Sequence, residues 1–183
     1  GYNESDASDV HTASHSLIVG SGHSYSGIAN ILFGQNASVS GDYASSLGGK
    51  DNTISSDYAS TAVGMNSEVS DGWGHTALGG GKVNPSTASS SQNMAFGAST
   101  ISTEGSYNIS MGYNSTISGN GSTTGSMTFG PSSTISGGYR NMTFGAGASI
   151  SGSSSNSNYA MGDYSSVSGG AWHAYALGNS SKV

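Results

Sequence analysis

Cysteine is absent from this chain, and charge, proline and long apolar runs are scarce. Without cysteine there is no disulfide framework and no thiolate metal site, although the absence says little about compartment. Charged residues make up 8% of the chain, against about a quarter in an ordinary globular protein. The cations are Lys50, Lys82, Arg140 and Lys182, scattered along a chain of net charge −6. Binding to a phosphate backbone needs clustered Lys or Arg, so no nucleic-acid partner is expected. No run approaches the roughly 18 apolar residues of a membrane helix, and no signal-peptide pattern is visible. No membrane insertion is therefore expected of this segment. The chain begins at Gly1 rather than Met and reads as processed or as a piece of a longer protein.

What is abundant is glycine, 30 of 183 residues, together with Ser, Asn and Thr. Hydrophobic residues are only 33%. Disordered chains combine low hydrophobicity with high charge, and this one has little of either, which points to a repeat architecture. Aligning on the glycine that follows an apolar residue gives Val19-Gly20, Phe33-Gly34, Leu47-Gly48, Val63-Gly64, Leu78-Gly79 and Phe96-Gly97. The series continues with Met111-Gly112, Phe129-Gly130, Phe144-Gly145, Met161-Gly162 and Leu177-Gly178. The spacing is about 14–18 residues throughout. Most units carry a second apolar residue a few positions later, usually followed by Ser, as in Ile117-Ser118, Ile135-Ser136 and Ile150-Ser151.

Each unit reads as two short strands, apolar–small–apolar–Gly and then Ser/Thr–apolar–Ser. Both have the two-residue period of a strand, with turn-forming Gly, Ser, Asn and Asp between them. No stretch keeps a 3.6-residue period, so no helix is expected. Two such strands cannot bury their own apolar face, but units stacked in register can. The expected fold is all-β, a parallel β-roll or solenoid over residues 16–183, with residues 1–15 (Glu4, Asp6 and Asp9 among them) as an N-terminal cap or linker. Two inward rows are expected: the Phe, Leu, Met and Val beside the glycines, and the Ile and Val of the second strand. The small residues of the first strand (Ala62, Ala77, Ala95, Ser110, Thr128, Thr143, Ala160 and Ala176) are expected outside, where they would let another roll approach. The longest turns, Asn84 to Asn93, Gly119 to Ser126 and Gly152 to Asn158, are where specificity is expected, because insertions in a solenoid collect as loops on one face.

The units resemble the head repeats of trimeric autotransporter adhesins, the YadA-like left-handed parallel β-roll. The residues that carry the resemblance are Tyr159-Ala160-Met161-Gly162-Asp163-Tyr164-Ser165-Ser166-Val167-Ser168-Gly169 and Tyr175-Ala176-Leu177-Gly178-Asn179-Ser180-Ser181-Lys182-Val183. Ser60-Thr61-Ala62-Val63-Gly64 and Thr76-Ala77-Leu78-Gly79 match as well. The resemblance implies a homotrimer on an extracellular fibre, anchored at a bacterial outer membrane or part of a virion, that attaches to a host surface glycan or protein. This chain's repeat is longer and less uniform than the family's, and it contains no neck or coiled-coil stalk. Bacteriophage tail fibres use the same repeat.

His11 and His15 have a spacing that a helix could turn into a metal pair, but no helix pattern surrounds them. His23, His75 and His173 lie near Tyr25, Trp73 and Trp172 and read as solvated surface histidines. No Gly-x-Ser-x-Gly elbow, phosphate loop or calcium loop occurs. No catalytic residue, metal or cofactor is assigned, and the chain is read as a non-enzyme. Tyr43, Tyr58, Tyr159 and Tyr175 are among the aromatics expected in turns and strand starts, where packing over neighbouring coils is the simpler role. Trp73, Trp172, Tyr107 and Tyr139 are the ligand-binding candidates, since Tyr and Trp are enriched at binding hot spots. The seven Asn-x-Ser/Thr sequons are uninformative in so Asn- and Ser-rich a chain. A competing reading is an ice-binding solenoid that uses the hydroxyl ladder of the second strand.

Overall fold

The structure is a computed structural model and describes residues 10–11, 15–56, 58–85, 87–119 and 123–183. Strands alternate along the chain between two eleven-stranded parallel sheets. The glycine sheet is formed by Leu17–Ser21, Ile31–Gln35, Ser45–Lys50, Thr61–Met65, Thr76–Leu78, Met94–Phe96, Ile109–Met111, Met127–Phe129, Met142–Phe144, Tyr159–Met161 and Tyr175–Leu177. The serine sheet is formed by Val10–His11, Ser24–Tyr25, Ser38–Val39, Thr53–Ile54, Glu68–Val69, Lys82–Val83, Thr100–Thr103, Thr116–Gly119, Thr134–Ser136, Ser149–Ser151 and Ser166–Val167. Each strand pairs with its counterpart one coil away, for example Ala77 with Ala95, Phe129 with Phe144 and Ile117 with Ile135. The result is an all-β solenoid of about ten turns. Its length is roughly 48 Å at about 4.8 Å per coil, and no helix occurs among the described residues.

The N-terminal segment expected as a cap lies mostly outside the described residues, Glu4, Asp6 and Asp9 included. Its Val10–His11 is the first strand of the serine sheet and pairs with Ser24–Tyr25.

Most of the repeat's glycines (Gly20, Gly34, Gly64, Gly112, Gly130, Gly145 and Gly162) have a shared reason. Gly145 sits at φ 134, and a Cβ added there would lie 2.7 Å from the backbone carbonyl of Gly162, its counterpart in the next coil. A side chain would meet stacked backbone, in a conformation open mainly to glycine.

The inward rows correct one expectation and keep another. The Ile and Val of the serine sheet are inside, from Val39 through Ile54, Ile101, Ile135 and Ile150 to Val167. Facing them from the glycine sheet are the small residues, with Ala62, Ala77, Ala95, Ser110, Thr128, Thr143, Ala160 and Ala176 all buried. The large residues beside the glycines point outward: Val19, Phe33, Leu47, Met111, Phe144, Met161 and Leu177 are exposed. The reason is volume. The two sheets lie close together, and the Ile/Val row takes most of the space between them. A small row opposite a large one lets the layers interdigitate, whereas two large rows would overpack.

Polar corners complete the interior. From Asn30 to Asn158 the residue just before each glycine-sheet strand is buried, and in most coils it is Asn, Ser or His. Ser60, His75, Asn93, Asn108, Ser126, Asn141 and Asn158 form an unbroken ladder. Each side chain accepts the backbone N–H of the same position one coil on, ending at Ala174, with distances from 2.8 to 3.3 Å. Backbone donors that the turns leave free of either sheet are satisfied this way.

Candidate functional site

Three surfaces are presented by this packing. The first is the outer face of the glycine sheet. Leu17 and Val19, Ile31 and Phe33, Met94 and Phe96, Ile109 and Met111, and Tyr175 and Leu177 are examples of the paired side chains it carries, exposed or half-buried along the whole solenoid. Tyr159 and Tyr175 stack there with ring centroids 5.1 Å apart, and Phe129 and Phe144 pack at 6.0 Å. Ser45, Thr61 and Thr76 replace one apolar member in the middle coils, and large exposed apolar patches are uncommon on monomeric proteins.

The second surface is the outer face of the serine sheet. Thr100, Thr116, Thr134, Ser149 and Ser166 stack in register, and Ser102, Ser118, Ser136 and Ser151 form a parallel column two residues on. The first column is interrupted by charge: Glu68 and Lys82 are paired neighbours and form an ion pair at 3.2 Å.

The third surface is the edge where the serine sheet turns back to the glycine sheet. All three long turns fall at this edge. A short backbone ladder runs along it: Gln92 donates to Trp73, Tyr107 to Ser91, Gly125 to Ser106, Arg140 to Thr124, Ser157 to Tyr139 and His173 to Asn156, at 2.9 to 3.0 Å. The donors sit in the left-handed region, among them Gln92 at φ 52, Tyr107 at φ 62 and Arg140 at φ 52. Tyr107 and Tyr139 come together here, as walls of a cleft of about 540 Å³ that Thr124, Gly125, Arg140 and Asn156 complete. Trp73 lies elsewhere on the edge, beside Tyr58 over a smaller hollow with Ser55, Asp71 and Gly72. Trp172 is two coils beyond Tyr139, joined through bridges to Asn156, and is outside the cleft. Tyr43 and Tyr58 stack on each other at 6.3 Å, the packing role expected of them. Sequence reasoning missed Arg140, Asn156 and Gly125 as neighbours of the tyrosines. The available signal was the position of the chain's one arginine, directly after Tyr139.

Two histidines are not where they were expected. His23 and His75 are fully buried, whereas His173 is exposed. His75 Nδ1 accepts the Asn93 N–H and His23 Nδ1 accepts the Ala37 N–H, both at 3.2 Å. In each ring the proton therefore belongs on Nε2. Burial pushes the His75 pKa from 6.5 down to about 4. The Asp71 backbone carbonyl favours the charged ring, yet it completes no hydrogen bond of good geometry with Nε2, and desolvation outweighs it. His15 is exposed, and the side chain of His11 is outside the described residues. Among the described residues no three His, Cys, Asp or Glu gather. Two sequon asparagines, Asn108 and Asn141, are buried members of the corner ladder.

These surfaces define a parallel β-solenoid with one apolar face, one hydroxyl face and one aromatic edge. A scan against protein-family models matches none, and a search of curated proteins gives no match.

Proposed function

We propose that the chain is the structural and adhesive module of a homotrimeric, left-handed β-roll fibre on a cell or virion surface, and that it attaches to a host glycan or protein. The observation that carries this reading is the outward apolar face of the glycine sheet. A roll whose own core holds one large and one small row per coil gains a second core when three such faces close around an axis. The resemblance of the units to trimeric adhesin head repeats supports three copies and a left-handed turn. The aromatic edge is then left to meet a ligand, and no catalytic role is needed. A bacteriophage fibre would use the same arrangement.

The ice-binding alternative is the weaker one. Its first hydroxyl column is broken in the middle, because Glu68 and Lys82 stand between Thr53 and Thr100. Binding of the intact protein to a glycan array and to immobilised host surface proteins tests the attachment reading. Saturable binding to a member of either set is expected. Binding to neither, together with thermal hysteresis from a monomer, would overturn it.

A further inference from the structure

The edge cleft has a built shape. Tyr107, Gly125 and Arg140 follow one another, coil by coil, in the left-handed column. Gly125 alone of the three has no side chain, so one layer between the other two is open. Two coil rises, roughly 10 Å, separate the Tyr107 and Arg140 backbones, which leaves room for one ring against an aromatic face. Thr124 and Asn156 add a hydroxyl and a carboxamide, and among the described residues no carboxylate lines the cleft. Arg140 makes no ion pair among the described residues, whereas Lys50 and Lys82 are paired with Asp51 and Glu68. On a chain of net charge −6, this is a cationic aromatic slot.

We propose that the cleft binds an acidic sugar of a surface glycan. The pyranose ring lies against Tyr107 and Tyr139, its carboxylate takes the planar guanidinium of Arg140, and Thr124 and Asn156 accept or donate to its hydroxyls. The inference rests on the reading of the chain as an attachment module and names the ligand class for that module.

Gly125 supplies a clean test. Gln92 occupies the same column at φ 52, and a Cβ on Gly125 would meet only the Arg140 Cγ, at 3.6 Å. Gly125→Gln therefore fills the slot within a backbone the fold already uses. Calorimetric titration of the full chain with sialyllactose and with tri-galacturonate separates the two sources of acidic sugar. Lactose and cellotriose are the neutral controls. Saturable binding of at least one acidic probe is expected, with the neutral controls much weaker. Arg140→Gln should weaken it about ten- to a hundredfold, as loss of a charged hydrogen-bonding pair does. Gly125→Gln should abolish it with an unchanged circular dichroism spectrum. Absence of binding by both acidic probes, equal binding of the neutral controls, or binding unaffected by both variants overturns the proposal. A chain that adheres to array glycans or host proteins yet takes neither acidic probe overturns the cleft alone. A chain that adheres to nothing overturns the attachment reading with it.

Discussion

Asn93 accepts the backbone N–H of Asn108 through its side-chain Oδ1 at 2.9 Å, and Asn108 does the same for Ser126 at the same distance. The side-chain Nδ2 of Asn108 also donates to the Thr123 carbonyl at 2.6 Å. The buried Asn108 carboxamide thus ties its own coil to the next through both of its ends. Asn108→Ala leaves a buried donor and a buried acceptor without partners, each costing about 1–3 kcal/mol. A loss of roughly 2–4 kcal/mol in urea unfolding at fixed protein concentration is expected. A change within the error of the measurement would show that the ladder is not a structural element.

His75 in the same ladder makes stability depend on pH. Its folded pKa of about 4 lies below the ordinary 6.5, so between these values the unfolded chain binds a proton that the folded chain does not. Stability is therefore complete above about pH 6.5 and is lost as pH falls toward 4. At about 1.4 kcal/mol per pH unit the loss is roughly 3 kcal/mol. Asn stands at this position in the next two coils, as Asn93 and Asn108, so His75→Asn keeps an acceptor for the Asn93 N–H without the titration. Its urea midpoint should fall less than that of the unchanged chain over this window. Parallel pH curves for the two proteins would contradict the assignment.

Two glycines separate steric contact from backbone preference. Gly145→Ala meets the Gly162 backbone at 2.7 Å from φ 134, whereas Gly125→Ala sits at φ 65 with 3.6 Å of space. The first should cost roughly 3 kcal/mol and the second about 1 kcal/mol, read from denaturant midpoints. Equal costs would mean that the stacked glycine column does not constrain the coil.

The period of the glycines and the Ile/Val row after them were legible because both recur coil after coil, and strand pairing stacks them in register except at a bulge where Gly49 rather than Gly48 takes the stacked place. Which side of the first strand faces inward was not legible. A two-residue period divides Met94-Ala95-Phe96 into two faces but is silent on which is inside, and hydrophobicity points to the wrong one. The answer lies in the volume left by the opposite row, Ile101 and its neighbours, which no single strand reveals. The corner ladder did have a signal: Asn, Ser or His directly before most glycine-sheet strands, from Asn30 to Asn158. Of the edge candidates, Tyr107 and Tyr139 share a cleft because a long turn places Gly125 between their coils. Trp73 and Trp172 lie in turns of the same composition but at other heights along the roll.

The outward apolar face separates assembly from folding. Phe144 is 56% exposed on the glycine sheet and Ala160, one coil on, is fully buried beneath the same sheet. Phe144→Glu should leave the circular dichroism of the roll intact while weakening association, because a charge is placed in an apolar contact. Ala160→Phe should instead lower the unfolding midpoint by overpacking, at a cost of about 1–3 kcal/mol. Identical behaviour of the two variants would contradict the assignment of faces.

Sedimentation equilibrium of the intact chain tests the central claim most directly. The expected result is a mass three times that of the 18.1 kDa chain, stable on dilution and reduced by Phe144→Glu. A concentration-independent mass of 18.1 kDa would contradict it, since the apolar face of the glycine sheet would then be facing water.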